Sequence, residues 1–152
     1  MIYRKAKFTD IEEIYSLVNY YADEGLMLPR SRNALYESLR DMIVAVDEQG
    51  EIVGVGGLHI TWESMGEIRS LAVDPDHNRQ GIGREIVSTL IAEGRELGIH
   101  KVFTLTYQEG FFEKCGFKVI SKEELPHKIW KECIDCPKFP NCNEVAMVYQ
   151  GY

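Results

Sequence analysis

The chain has 152 residues, enough for one compact domain with a proper core, and 45% hydrophobic with 27% charged residues is the make-up of an ordinary globular protein. Seventeen basic against twenty-four acidic residues leave a formal net charge of −7, which repels polyanions and argues against a nucleic-acid partner. No apolar run approaches the roughly 20 residues that span a bilayer, and MIYRKAKFTDIEE lacks a signal peptide's apolar stretch, so a cytoplasmic location without a membrane partner is expected.

Residues 2–7 are predicted as a first strand. Thr9 and Glu12 have the spacing of a capping box, reinforced by Asp10, ahead of a helix whose apolar positions Ile11, Ile14, Tyr15, Val18, Tyr21 and Ala22 keep helical period. Gly25 stops that helix, LMLPRSR is a loop, and a second short helix is expected over 33–41. MIVAV (42–46), the turn DEQG and EIVGVGGLHI (51–60) form a hairpin pattern, and GEIRSLAV (66–73) is a further strand ended by Asp74-Pro75. Ile82, Ile86, Val87, Leu90, Ile91 and Leu97 mark one face of a long helix closed by Gly98. KVFTLT (101–106), the short helix GFFEKC, the strand FKVIS, an irregular segment 126–143 and the strand EVAMVY (144–149) complete the order. With no repeats or linkers, residues 1–152 are expected to form one domain with a mixed α/β sheet.

The segment Val73-Asp74-Pro75-Asp76-His77-Asn78-Arg79-Gln80-Gly81-Ile82-Gly83-Arg84 carries a strand through a glycine-bearing loop into the long helix. Peptide N–H groups at a helix start have no intrahelical partner, and with the helix dipole they form an anion site that fits a pyrophosphate. Arg79 and Arg84 put positive charge where an acidic protein would need it. A plain strand–loop–helix corner, with Gly83 serving close packing, is the competing reading. The G-x-G-x-x-G of a dinucleotide site and the G-K-[ST] of a P-loop are both absent.

LAVDPDHNRQGIGREIV resembles the acetyl-CoA-binding motif of the GNAT superfamily, Q/R-x-x-G-x-G/A, and GFFEKCGF is similar to that superfamily's Y-E-x-x-G-F segment. The resemblance covers nearly the whole chain. It implies the GNAT fold, acetyl-CoA as co-substrate and a small amine as acceptor; a homodimer is left open. Asn78 stands where Gln or Arg is usual, and Phe112 replaces the usual tyrosine. The implied cofactor contacts are the backbone of Leu71, Ala72 and Val73 and the loop and helix start formed by Asn78, Arg79, Gln80, Gly81, Ile82, Gly83 and Arg84.

Acetyl transfer to an amine needs a proton acceptor for the amine and a proton donor for the leaving thiolate. On the strand before the glycine loop, Glu67, Arg69, Leu71 and Val73 are expected to alternate onto one face. A carboxylate there beside an apolar channel suits a general base, and a glutamate on this strand is the base in many GNAT enzymes, so Glu67 is the candidate. The alternative for Glu67 is an ion pair with Arg69. With the tyrosine replaced by Phe112, Tyr107 at the end of its strand is the candidate proton donor, and water is the alternative. Cys115 is expected to pack in the core.

GLHITWESMGEIRSLAVDP, VFTLTYQEGFFEKCGF and LMLPRSRNALYE bring the chain, within the superfamily, to resemble the short-form N-acetylglutamate synthases of arginine biosynthesis. The resemblance implies glutamate as acceptor. Two carboxylates call for basic partners, and Arg30, Arg32, Arg69 and Lys128 are the candidates. Another amine, or a non-catalytic CoA-binding module, are the rival readings. In the tail, His127, Cys133, Cys136 and Cys142 are spaced H-x5-C-x2-C-x5-C, which offers four ligands to a structural zinc, with reduced thiols as the alternative.

Overall fold

The computed structural model describes residues 1–77, 80–125 and 144–151. The strands are β1 (Ile2–Lys5), β2 (Met42–Val46), β3 (Ile52–Trp62), β4 (Met65–Val73), β5 (Lys101–Thr106), β6 (Phe117–Ile120) and β7 (Val145–Tyr149). The helices are α1 (Ile11–Asp23), α2 (Arg32–Glu37), α3 (Ile82–Leu97) and α4 (Glu109–Lys114). Among the described residues these strands form one mixed sheet in the order β1-β2-β3-β4-β5-β7-β6. Only the β4–β5 pair is parallel, because α3 carries the chain across between them.

Each face of the sheet has its own core. On one face, Ile82, Ile86, Val87, Leu90 and Ile91 of α3 and Phe112 of α4 pack against Ile43, Leu58 and Ile68. On the other, Ile11, Ile14 and Val18 of α1 and Leu35 of α2 cover Met42, Val44, Val55 and Ala72. The first core is tight because β3 offers glycine: a Cβ on Gly56 would sit 2.6 Å from Ile86 Cγ2, and one on Gly54 2.9 Å from Ile82 Cγ2. Missing side chains on β3 therefore fix how closely α3 approaches the sheet, and so where its first turn stands. Gly98 ends α3 at φ 84° and Gly116 ends the α4 turn at φ 95°, a left-handed backbone that glycine adopts without Cβ strain.

Three expectations are revised. Thr9 and Glu12 make no capping box; Asp10 takes the helix entry, accepting from the Lys7 N–H at 2.7 Å and from Arg4 at 2.7 and 3.0 Å, while Glu12 is drawn to Arg32. The expected helix over 33–41 is α2 followed by a separate 3-10 turn at Leu39–Asp41. On β4 the even alternation of Glu67, Arg69, Leu71 and Val73 fails. Ser70 adopts φ 55°, and the β3–β4 register slips between Val55 and Gly57, so Ser70 and Leu71 together oppose Gly56. Glu67 and Arg69 keep the α1/α2 face, whereas Leu71 and Val73 join Ile68 on the α3 face.

Among the described residues, no helix is long and apolar enough to cross a membrane.

Candidate active site

The bulge coincides with a second irregularity. β4 and β5 pair only through Met65↔Lys101, Gly66↔Val102 and Glu67↔Phe103, although both strands run on to Val73 and Thr106. Past Glu67 the Ile68 carbonyl accepts a side-chain hydroxyl, that of Thr104, at 3.1 Å. The two parallel strands therefore splay apart towards their C-terminal ends and open a cleft through the sheet. Open α/β sheets place ligands beyond such strand ends.

The peptide groups of β4 that face this cleft follow from the β3 pairing. The Asp74 N–H donates to the Val53 carbonyl at 2.8 Å, so Val73↔Gly54 is a non-hydrogen-bonded pair and Val73 turns its own peptide groups away from β3. Two-residue alternation turns Leu71 the same way, and Ala72 towards β3. The Ala72 amide and carbonyl serve the β3 ladder, so of the three expected backbone contacts Leu71 and Val73 are the ones turned towards the cleft. The Val73 carbonyl accepts the Tyr21 hydroxyl, so its N–H and the Leu71 peptide are the groups presented to the cleft.

α3 begins at the mouth of the cleft. Gly81 caps it at φ 77° with no atom within 4 Å of where a Cβ would stand, and the first intrahelical bond is Glu85 N–H to Gly81 carbonyl at 3.0 Å. The amides of Ile82, Gly83 and Arg84 precede that bond and have no acceptor within the helix. Gln80, Gly81 and Arg84 are exposed. Gly83 serves packing: a Cβ there would stand 3.1 Å from the Phe111 ring. The expected anion contacts Asn78 and Arg79 lie outside the described residues.

On the α1/α2 face, Arg30, Ser38, Asp41, Gly57, His59, Arg69 and Ser70 line a shallow open pocket together with the apolar Leu35 and Met42. Asn19 of α1 holds the Arg30 backbone through both its carbonyl (3.0 Å) and its N–H (3.3 Å). Arg69 donates from Nε to Glu67 Oε1 at 2.7 Å, and the two side chains are 14% and 10% exposed. Arg30, Arg69 and Glu67, three of the expected site residues, thus gather at one place. Arg32 does not join them. Ser31 caps α2 by accepting from the Ala34 N–H, which turns Arg32 back over the Tyr15 ring, 4.1 Å from its centroid, and into a pair with Glu12 at 2.7 Å.

Tyr107 follows β5 in the turn that Thr106 braces by accepting from the Gln108 N–H at 2.8 Å. Phe112 is buried, with its ring edge-on to those of Phe111 and Phe117. Cys115 is a free thiol packed against the same core, and burial raises its pKa against the lowering effect of Arg84, so it stays protonated and is a poor nucleophile. Lys128 and the zinc candidates His127, Cys133, Cys136 and Cys142 lie outside the described residues. Among the described residues no cluster of three His, Cys, Asp or Glu side chains could hold a metal. Residue spacing did not reveal Asp41 and His59, 18 positions apart: the β2–β3 register brings them together, with Nδ1 and Oδ2 at 2.6 Å.

Residues 8–117 match the Acetyltransferase (GNAT) family. The chain is 41% identical over 145 residues to an uncharacterized N-acetyltransferase of Chlorobaculum tepidum, covering 95% of this chain and 93% of that protein. It is 36% identical over 133 residues to an amino-acid acetyltransferase of Mycobacterium tuberculosis, covering 86% and 76%. A Mycobacterium tuberculosis protein crystallised in complex with CoA superposes with a TM-score of 0.86 at 31% identity, over 98% of both chains. N-acetylglutamate synthase of Neisseria gonorrhoeae, complexed with coenzyme A and N-acetyl-glutamate, gives 0.88 at 28% identity over 97% of this chain; the chain spans about a third of that protein.

Proposed function

Because the chain belongs to the acetyltransferase (GNAT) family, we propose that it transfers the acetyl group of acetyl-CoA to the α-amine of L-glutamate in a ternary complex. The observation that carries the choice of acceptor is the pairing of Arg30 and Arg69 in one pocket beside Glu67. Two guanidinium groups match the two carboxylates of a dicarboxylic amino acid, and planar guanidinium bonds a carboxylate through two N–H groups at once. The solved relative bound to N-acetyl-glutamate supports the same choice.

In this reading the CoA diphosphate rests on the amides at the start of α3, with Arg84 beside them. Its pantetheine arm runs into the β4–β5 splay against the Leu71 peptide and the Val73 N–H. The cleft pierces the sheet, so a thioester entering from the α3 face meets an amine held on the Glu67 face. The ammonium gives one proton towards the Glu67 carboxylate. The free amine attacks the thioester carbonyl, the new N–C bond forming as the C–S bond breaks. Tyr107 supplies the thiolate's proton and regains one from the nitrogen, which ends as an amide. No covalent enzyme intermediate is needed. Formation of N-acetylglutamate would place the chain in arginine biosynthesis, a cytoplasmic process.

The test is thiol release from acetyl-CoA across a panel of amines: glutamate, glutamine, aspartate, lysine and a peptide. The proposal expects the highest kcat/KM with glutamate. Turnover confined to lysine or the peptide would overturn the acceptor, and CoA binding without any turnover would favour a non-catalytic module.

A further inference from the structure

Resting on the acyl-transfer reading above, we propose that His59, held by Asp41, is the relay that carries the amine's proton from Glu67 out to solvent. Glu67 is 8% exposed, so a proton arriving there has little direct access to water. The residue directly opposite it in the β3–β4 register is His59, on the same face of the sheet, and such cross-strand neighbours stand about 5 Å apart at Cβ. The His59 side chain is 36% exposed. His59 lines the pocket and stands opposite Glu67, so it lies between that carboxylate and solvent.

Asp41 fixes which nitrogen does this. Its Oδ2 lies 2.6 Å from His59 Nδ1, and an ionised carboxylate can only accept, so Nδ1 carries a proton. Nε2 is then the nitrogen left with a lone pair when the ring is neutral. The amine's proton passes from the Glu67 carboxylate to Nε2, giving an imidazolium stabilised by Asp41, and leaves Nε2 for solvent, restoring the neutral ring. One proton enters and one leaves, with no further reactant. The charged groups around His59 are Asp41 from the turn before β2, Glu67 and Arg69 from β4, and Arg30 from the loop before α2. Two anions against two cations leave the imidazolium near a locally balanced charge.

The discriminating variant is His59→Asn, whose amide can keep the bond to Asp41 but cannot titrate. The expected result is a kcat lowered by roughly 10- to 100-fold at neutral pH with glutamate KM little changed. The lost kcat should recover with rising imidazole concentration, which a purely structural role for His59 would not produce. Asp41→Asn, which leaves the ring but removes its anchor, should lose less and respond less to imidazole; it also serves if His59→Asn does not fold. An unchanged kcat, a loss confined to KM, or a loss that imidazole does not repair would overturn the relay. A wild-type chain that acetylates no amino acid would instead sink the reading beneath it.

Discussion

Arg69 Nε donates to Glu67 Oε1 at 2.7 Å across two positions of one strand, and both side chains are largely buried. The bulge that begins at the next residue, Ser70, separates this pair from Leu71 and Val73, which turn to the other face. The ion pair and the general base, alternatives on the sequence, are joined in the proposed site: the pair aims the carboxylate and brings one of the two guanidinium groups to the acceptor.

Glu67→Gln keeps the shape and one oxygen for Arg69 but cannot take a proton. The expected loss in kcat is about 10²–10⁴-fold with CoA affinity unchanged by calorimetry. An unaltered rate would remove Glu67 from the mechanism.

Arg30→Ala removes a charged partner without touching the Glu67–Arg69 pair. A hydrogen bond to a charged group contributes roughly 1.5–3 kcal/mol, so glutamate KM should rise about 10- to 100-fold while acetyl-CoA KM holds. Arg32→Ala, by contrast, should leave glutamate KM nearly unchanged, because Arg32 is spent on Glu12 and Tyr15. Steady-state kinetics on the two variants separates two neighbouring arginines that composition alone treats alike.

Gly56→Ala would force a Cβ to within 2.6 Å of Ile86 Cγ2 and 3.1 Å of Leu71 Cδ1. Overpacking of this kind costs roughly 1–3 kcal/mol. Because the displaced element is α3, thermal melts should show a lowered Tm and kinetics a raised acetyl-CoA KM, with glutamate KM less affected.

Asp10 offers a pH test of folding. The Arg4 guanidinium, then the Lys7 N–H, hold its carboxyl below the usual carboxylate range although burial opposes them. A folded value below the unfolded one, which is about 4, means stability present in full above that pH and lost as the pH falls through the folded value. Asp10→Asn should therefore lower Tm at pH 7 and approach the parent chain as the buffer is acidified. A gap independent of pH would contradict this.

Local pattern made much of the fold legible. The expected apolar stripe of α3 is buried at Ile82, Ile86, Val87, Leu90 and Ile91 but not at Leu97, which is exposed in the last turn, and β5 has the bounds its composition implied. What escaped were features set by register. Ser70 carries no mark of a left-handed residue, so the bulge, and with it the reversal of Leu71 and Val73, could not be read from alternation. Asp41 and His59 meet only once β2 and β3 have paired. Arg30 and Arg32 differ because Ser31 between them caps a helix, which sends one side chain to the pocket and the other to α1.

The most direct measurement is isotope-resolved NMR of the products formed from ¹³C-acetyl-CoA and ¹⁵N-L-glutamate. The account predicts one new species in which the labelled acetyl carbon is bonded to the labelled nitrogen, appearing in step with free CoA. Label recovered only as acetate, or unchanged thioester beside untouched glutamate, would contradict it.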